Sequence, residues 1–289
     1  MDTDAIFHDS FYKFVDVADI DATAATLRDL TSALTGSLLV ASEGINGTLA
    51  GKPATLDAFR VALATDPRLE GRFTGIAFKR SPCVTPPFQR MKVHGRREIL
   101  PLGVEGVNAV GHIGHQVTPQ QWRDLLDDPN VVVIDNRNHF EFRLGRFRNA
   151  IDPGVRNFRD FPAYMEAQLP TWKAEGKRVA MYCTGGIRCE KTSAWLEERG
   201  VPVLQLEGGI LNFFADMPDA ERDWEGECFV FDNRIALDTH LRETGTTAEQ
   251  VYAEDPDEAW RLRRARQLAS AGQSDALAGP TGTAAKPAT

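Results

Sequence analysis

The chain has 289 residues, 42% of them hydrophobic, and a formal net charge of −8. At about 150 residues per domain the length suggests two domains, and the composition excludes a wholly disordered or collagen-like chain. No apolar run is long enough to cross a bilayer, and the acidic start Met1-Asp2-Thr3-Asp4 lacks the basic and apolar parts of a secretory signal. The four cysteines, Cys83, Cys183, Cys189 and Cys228, are too sparse for a disulfide scaffold and show no C-x-x-C spacing. These features lead us to expect a cytoplasmic protein with reduced thiols and no membrane contact.

In chain order, Phe11 to Val17 is a short apolar-rich run. Asp21 to Leu34 has helical spacing through Ala24, Leu27, Leu30 and Leu34, with Asp21 placed to cap it. Ser37–Ala41 and Ile45–Ala50 predict two strands joined by a turn at Ser42-Glu43-Gly44. Pro53–Leu63 predicts a helix with proline in its first turn, and Phe73–Lys79 a final strand ended by Pro82, Pro86 and Pro87. The order βαββαβ predicts a ferredoxin-like domain over residues 1–103. A further extended stretch runs from Gln89 to Leu100. Residues 104–117 are Gly-rich and predict a linker without an element of its own.

A second domain is expected over residues 118–221. Thr118-Pro119 opens a helix through Trp122, Leu125 and Leu126. The runs Val131–Ile134, Val179–Tyr182 and Val203–Leu206 alternate with helical stretches, as in a parallel α/β sheet. Residues 222–269 predict a short C-terminal extension, with a strand at Cys228–Phe231 and a helix from Asp257 to Leu268. Residues 270–289 offer little to bury and predict a disordered tail.

The charge is uneven. Between Lys79 and Arg97 stand six basic residues, Lys79, Arg80, Arg90, Lys92, Arg96 and Arg97, and no acidic one. A globally acidic chain argues against indiscriminate nucleic-acid binding but leaves room for a local basic face of this kind.

The chemistry-bearing stretch is Met181-Tyr182-Cys183-Thr184-Gly185-Gly186-Ile187-Arg188-Cys189-Glu190-Lys191. A buried strand ends, a cysteine follows, and two glycines let the chain turn before a helix begins. Thr184, Gly185, Gly186 and Ile187 form a loop whose backbone N–H groups can face the sulfur. The helix N-terminus and Arg188 add positive charge, so Cys183 should be an acidic, nucleophilic thiol. Cys189 reads as a small residue packed in the first helical turn, with a resolving thiol as the alternative.

This loop resembles that of the rhodanese superfamily. So do Asp135-Asn136-Arg137 with Glu141, Gly145, Phe147 and Ala150 upstream, and Leu206-Glu207-Gly208-Gly209-Ile210 downstream. The superfamily often has histidine where this chain has Arg146. Cysteine phosphatases place five residues between cysteine and arginine, one more than the four here, so the loop suits a smaller group than phosphate. Four further stretches narrow the resemblance: Ser42-Glu43-Gly44-Ile45-Asn46-Gly47-Thr48, Phe158-Arg159-Asp160-Phe161-Pro162, the unbroken Cys183 to Lys191, and Gly226 to Asp232. Over roughly residues 10–240 the chain looks like the oxygen-dependent tRNA uridine hydroxylases that carry a rhodanese domain. The resemblance implies conversion of the wobble uridine, position 34, to 5-hydroxyuridine, with molecular oxygen as co-substrate and tRNA as partner. Cys183 and Arg188 would be catalytic, and the six residues from Lys79 to Arg97 would meet tRNA. No nucleotide fingerprint, flavin motif or iron triad is evident, and His112 and His115 are a weak metal signal, so neither a resident cofactor nor a metal is expected. A rhodanese-type sulfurtransferase working through a Cys183 persulfide is the alternative reading. A non-enzymatic RNA-binding adaptor is the third.

Overall fold

The computed structural model describes residues 5–267. The chain divides into two compact units, Met1–Gly245 and Thr246–Thr289. The tail expected to be disordered lies outside the described residues.

The first unit opens with β1 (Ile6–Phe14), α1 (Ile20–Leu30), β2 (Thr35–Ala41), β3 (Gly44–Gly51) and α2 (Pro53–Thr65). Then come β4 (Lys79–Cys83) and β5 (Met91–Gly95), giving the sheet order β4-β1-β3-β2-β5. The first four strands have the expected ferredoxin-like arrangement, and β5 extends the sheet parallel to β2. Leu27, Leu38, Ile45, Leu49, Leu56 and Phe59 fill the core beneath the two helices. Each such side chain removed from water contributes about 1.5–3 kcal/mol.

Two local expectations are corrected. The cap of α1 is Asp19, whose side chain accepts from the Ala22 N–H, while Asp21 lies in the first turn. The last strand begins at Lys79, where the predicted one ended. Residues 70–77 instead turn under the core, with Glu70, Gly71 and Gly75 at positive φ and Phe73 buried. Pro82 lies inside β4, which is tolerated because β4 is an edge strand with one side unpaired.

The second domain contains β6 (His115–Val117), α3 (Pro119–Leu126), β7 (Val131–Asp135), α4 (His139–Leu144), β8 (Gly145–Phe147) and α5 (Phe161–Ala174). It continues through β9 (Arg178–Tyr182), α6 (Ile187–Glu197), β10 (Val203–Leu206) and α7 (Gly209–Asp216). Its sheet order is β6-β10-β9-β7, parallel throughout. Trp122, Phe147, Tyr182 and Phe213 pack one core, and Phe161, Met165, Trp195 and Leu196 pack another. β6 corrects the reading of residues 104–117 as free of elements: three residues are too short for a pattern, and pairing with β10 alone defines them. That segment also packs tightly, since Ala109 is buried with Phe14, Ala41, Ile99 and Ala194 between the two domains.

The strands β11 (Trp224–Gly226), β12 (Cys228–Phe229) and β13 (Ala236–Leu237) follow. Arg234 donates to Ser81 Oγ at 2.8 Å, which ties this extension back to β4. The second unit holds α8 (Ala248–Tyr252) and a helical stretch at 259–267 after a short turn at Pro256–Glu258. No described helix is long and apolar enough to cross a membrane.

Candidate active site

Cys183 stands where β9 ends, and α6 starts four residues later. Gly186 adopts φ 97°, a left-handed conformation that costs glycine little, and this turns its N–H onto Cys183 Sγ at 3.1 Å. The segment Gly208-Gly209 closes the loop from the other side. Ile210 N–H donates to the Cys183 carbonyl at 3.0 Å and Leu211 N–H to that of Thr184 at 3.1 Å. A Cβ on Gly209 would lie 2.4 Å from the Cys183 carbonyl oxygen, so the docking requires glycine there.

The sulfur is fully buried. Burial alone would raise its pKa. The hydrogen bond from Cys189, the charge of Arg188 and the backbone N–H groups of Cys189 and Arg188 outweigh burial and bring the thiol down to about 5. The Cys189 thiol is pushed the opposite way by burial and by its hydrogen bond to Cys183. Cys189 itself is buried in the first turn of α6.

Arg188 is held as well as charged. Its two terminal nitrogens donate to the two oxygens of Glu141, each at 2.8 Å, in a buried bidentate pair. The backbone N–H of Asn138 donates to the same carboxylate at 3.1 Å. Below the loop, Arg137 donates to Asp135 at 2.5 Å and to the Gly145 carbonyl at 2.6 Å, fully buried against the faces of Tyr182 and Trp224. Asp135 and Arg137 are thus a structural pair.

The first domain reaches the loop. Tyr12 Oη, on β1, lies 3.1 Å from where a Cβ of Gly186 would stand, and it donates to Glu190 Oε2 at 2.8 Å. Lys79, on β4, has its ammonium 5.5 Å from the centre of the Tyr12 ring. Lys191, on α6, is buried and donates to both oxygens of Glu43 at 2.8 and 2.9 Å, to Glu98 at 2.7 Å and to the Leu100 carbonyl at 2.8 Å. The turn at Glu43 thereby becomes a contact between domains. Sequence reasoning missed these links. The only local hint was a lysine followed directly by the small and apolar residues Thr192, Ser193 and Ala194 of α6.

The six basic residues do not form one face. Lys79 turns toward Cys183 and Glu190, and burial lowers its pKa. Arg80 is paired with Asp9 through two bonds of 2.8 and 3.0 Å, and with Asp57 at 2.8 Å. Both lie on β4, and β5 is the opposite edge, about 19 Å away across four strand spacings. Arg90, Lys92, Arg96 and Arg97 are grouped at the β5 edge, where Arg90, Arg96 and Arg97 are exposed. Arg97 there meets Glu105 at 3.0 Å. His112 and His115 both approach Glu197 at 3.5 Å. Among the described residues, no group of three or more His, Cys, Asp or Glu is placed to hold a metal ion. Phe158 and Phe161, near Arg156 and Arg159, are core residues.

Two family models match the chain. Residues 8–99 match the family model described as UPF0176 acylphosphatase like domain, and residues 118–216 match the rhodanese-like domain. A tRNA uridine(34) hydroxylase of Synechococcus sp. (strain CC9902) is 43% identical over 241 residues, covering 80% of this chain and 79% of that protein. Among solved structures, the rhodanese-like domain of Anabaena sp. Alr3790 is 14% identical with a TM-score of 0.31, covering 39% of this chain and 80% of that one. An acylphosphatase from Coxiella burnetii is 14% identical with a TM-score of 0.22, covering 32% of this chain and 94% of that one. At such scores the two structural likenesses add nothing to the argument.

Proposed function

Because this chain belongs to the tRNA uridine(34) hydroxylase family, we propose that it hydroxylates C5 of uridine 34 in tRNA, with molecular oxygen as co-substrate and the Cys183 thiolate as nucleophile. The observation that carries this reading is the Cys183 sulfur at the start of α6, where it accepts from the Gly186 N–H at 3.1 Å, and the surrounding donors and Arg188 hold its pKa down. Uracil C5 is a poor nucleophile while the ring is conjugated. Addition of Sγ to C6 moves the C5–C6 π pair onto C5 and the neighbouring carbonyl. The enolate then attacks an electrophilic oxygen derived from dioxygen. A two-electron donor reduces the second oxygen atom to water. Arg188, fixed by Glu141, stabilises the negative charge on sulfur and on the enolate. Loss of the C5 hydrogen and departure of sulfur from C6 restore the double bond.

Arg90, Lys92, Arg96 and Arg97 are the proposed tRNA-phosphate contacts. Lys79 and Arg80 are assigned elsewhere by their partners. The test is the nucleoside content of tRNA from cells with and without the gene. Loss of 5-hydroxyuridine-derived nucleosides in the deletion strain supports the reading, and unchanged content opposes it. Re-supply with an Arg96→Ser, Arg97→Ser chain should restore them only partly, because fewer phosphate counterions are released on binding.

A further inference from the structure

We propose that Glu190 is the base that removes the C5 proton of the uridine, held in place by Tyr12 and faced by Lys79; the inference rests on the Cys183–C6 addition set out above. Three elements converge on one side of the loop. Glu190 is on the first turn of α6, Tyr12 on β1 and Lys79 on β4. Tyr12 Oη donates to Glu190 at 2.8 Å and stands against Gly186, whose N–H donates to Sγ. The carboxylate and the thiolate therefore border the same loop. A ring bonded to Sγ at C6 carries its C5 on the adjacent atom, at the loop that both groups border.

The step balances without an oxidant. After oxygen has joined C5, that carbon is saturated and still carries its hydrogen. A Glu190 oxygen takes the hydrogen as a proton. The C–H pair re-forms the C5–C6 double bond, and the Sγ–C6 bond breaks to return the thiolate. The electrostatics suit the task. In the free enzyme burial raises the Glu190 pKa, the Tyr12 hydrogen bond and the Lys79 charge lower it, and the nearby Cys183 charge raises it, leaving it at about 7; that last contribution is lost once the sulfur is bonded to C6. A carboxylate so poised is a stronger base than an ordinary glutamate yet is still substantially ionised at neutral pH. Tyr12, Lys79 and Cys183 are the titratable groups that face it.

The chemistry provides its own control. A fluorine at C5 cannot leave as a cation, so wild-type enzyme acting on 5-fluorouridine tRNA should stall as a covalent protein–RNA species. Glu190→Gln acting on ordinary tRNA should stall at the same point, because glutamine keeps the shape and the Tyr12 contact but takes no proton. The experiment isolates the protein under denaturing conditions from cells carrying either chain, grown with or without 5-fluorouracil. The expected result is tRNA covalently attached to Cys183 in the Glu190→Gln chain without the analogue, and in the wild-type chain only with it. A Glu190→Gln chain that hydroxylates at the wild-type rate, or that loses activity with no adduct while the wild-type chain is trapped by the analogue, overturns the role of Glu190. A wild-type chain that is not trapped overturns the C6 addition itself. Tyr12→Phe gives a second readout. It removes a donor that favours ionised Glu190, so the rising limb of the rate against pH should move to higher pH. A Tyr12 that only packs would leave the limb in place.

Discussion

Cys183→Ser should leave the chain folded and abolish 5-hydroxyuridine formation. The substitution is nearly isosteric in a site with no room to collapse, so the melting temperature should change little. The hydroxyl, however, has no accessible anion near neutral pH, and addition to C6 fails. Cys189→Ser should cost far less, since it keeps a donor toward the Cys183 sulfur. The pH dependence follows from the sign of the shift. The folded-state pKa is depressed to about 5, so the reactive thiolate is present above that value and lost as pH falls through it. Alkylation of Cys183 should be flat between pH 6.5 and 8, whereas an ordinary thiol of pKa about 8.5 gains steeply over the same range. The shape carries this prediction rather than the absolute rate. A thiolate of low pKa is intrinsically a weaker nucleophile, and this sulfur is buried. A steep rise across that range would contradict the acidic thiol. The sulfurtransferase reading parts from the hydroxylase reading at the same residue: a sulfane donor without RNA would add one sulfur atom to Cys183 and let it be passed on.

Lys191→Met is expected to be strongly destabilising. Each of the three N–H bonds of the ammonium has an acceptor among Glu43, Glu98 and the Leu100 carbonyl, so the ion is fully satisfied. Methionine fills most of the volume but leaves two carboxylates facing each other in a half-buried site. Breaking such a pair costs about 3–5 kcal/mol, and the partial exposure of Glu98 points to the lower end. About 3 kcal/mol corresponds to a fall in Tm of roughly 6–12 °C for a chain of this size. Adding Glu43→Gln and Glu98→Gln should recover part of the loss, because the stranded charges go with it. Calorimetry of the three chains decides the matter. A Tm within two degrees (about 2 °C) of wild type for Lys191→Met would show that the network is not holding the domains together. The functional consequence is specific, since Lys191 lies three residues after Arg188 on the helix that begins at the reactive loop.

What could be read from the chain alone was local. The run from Met181 to Lys191 places strand, cysteine, turn and an arginine-bearing helix start in eleven consecutive positions, and the structure keeps that order. Thr118-Pro119 likewise caps its helix as read. What could not be read was either long in sequence separation or weak in pattern. Glu43 and Lys191 are 148 residues apart, and Tyr12 and Glu190 are 178 apart. Nothing local in either member announces the other. Lys79 and Arg80 look like two members of a basic cluster, but neighbours on a strand point to opposite faces, so one turns to the loop and the other to Asp9 and Asp57. The apolar residues Phe73 and Phe78 imitate a strand, yet Phe73 enters the core from a turn. β6 depends on pairing with β10, far along the chain.

In the proposed mechanism an atom of dioxygen reaches C5 of the uridine only after Cys183 has added to C6. The most direct measurement grows deletion cells re-supplied with the wild-type or Cys183→Ser gene under heavy-isotope dioxygen, with ordinary water, and weighs the tRNA nucleosides. The expected result is heavy oxygen on C5 of the 5-hydroxyuridine-derived nucleosides of wild-type cells, none at that position when the label is in water instead, and loss of these nucleosides with Cys183→Ser. Label arriving from water, or heavy nucleosides persisting at wild-type levels with Cys183→Ser, would contradict it.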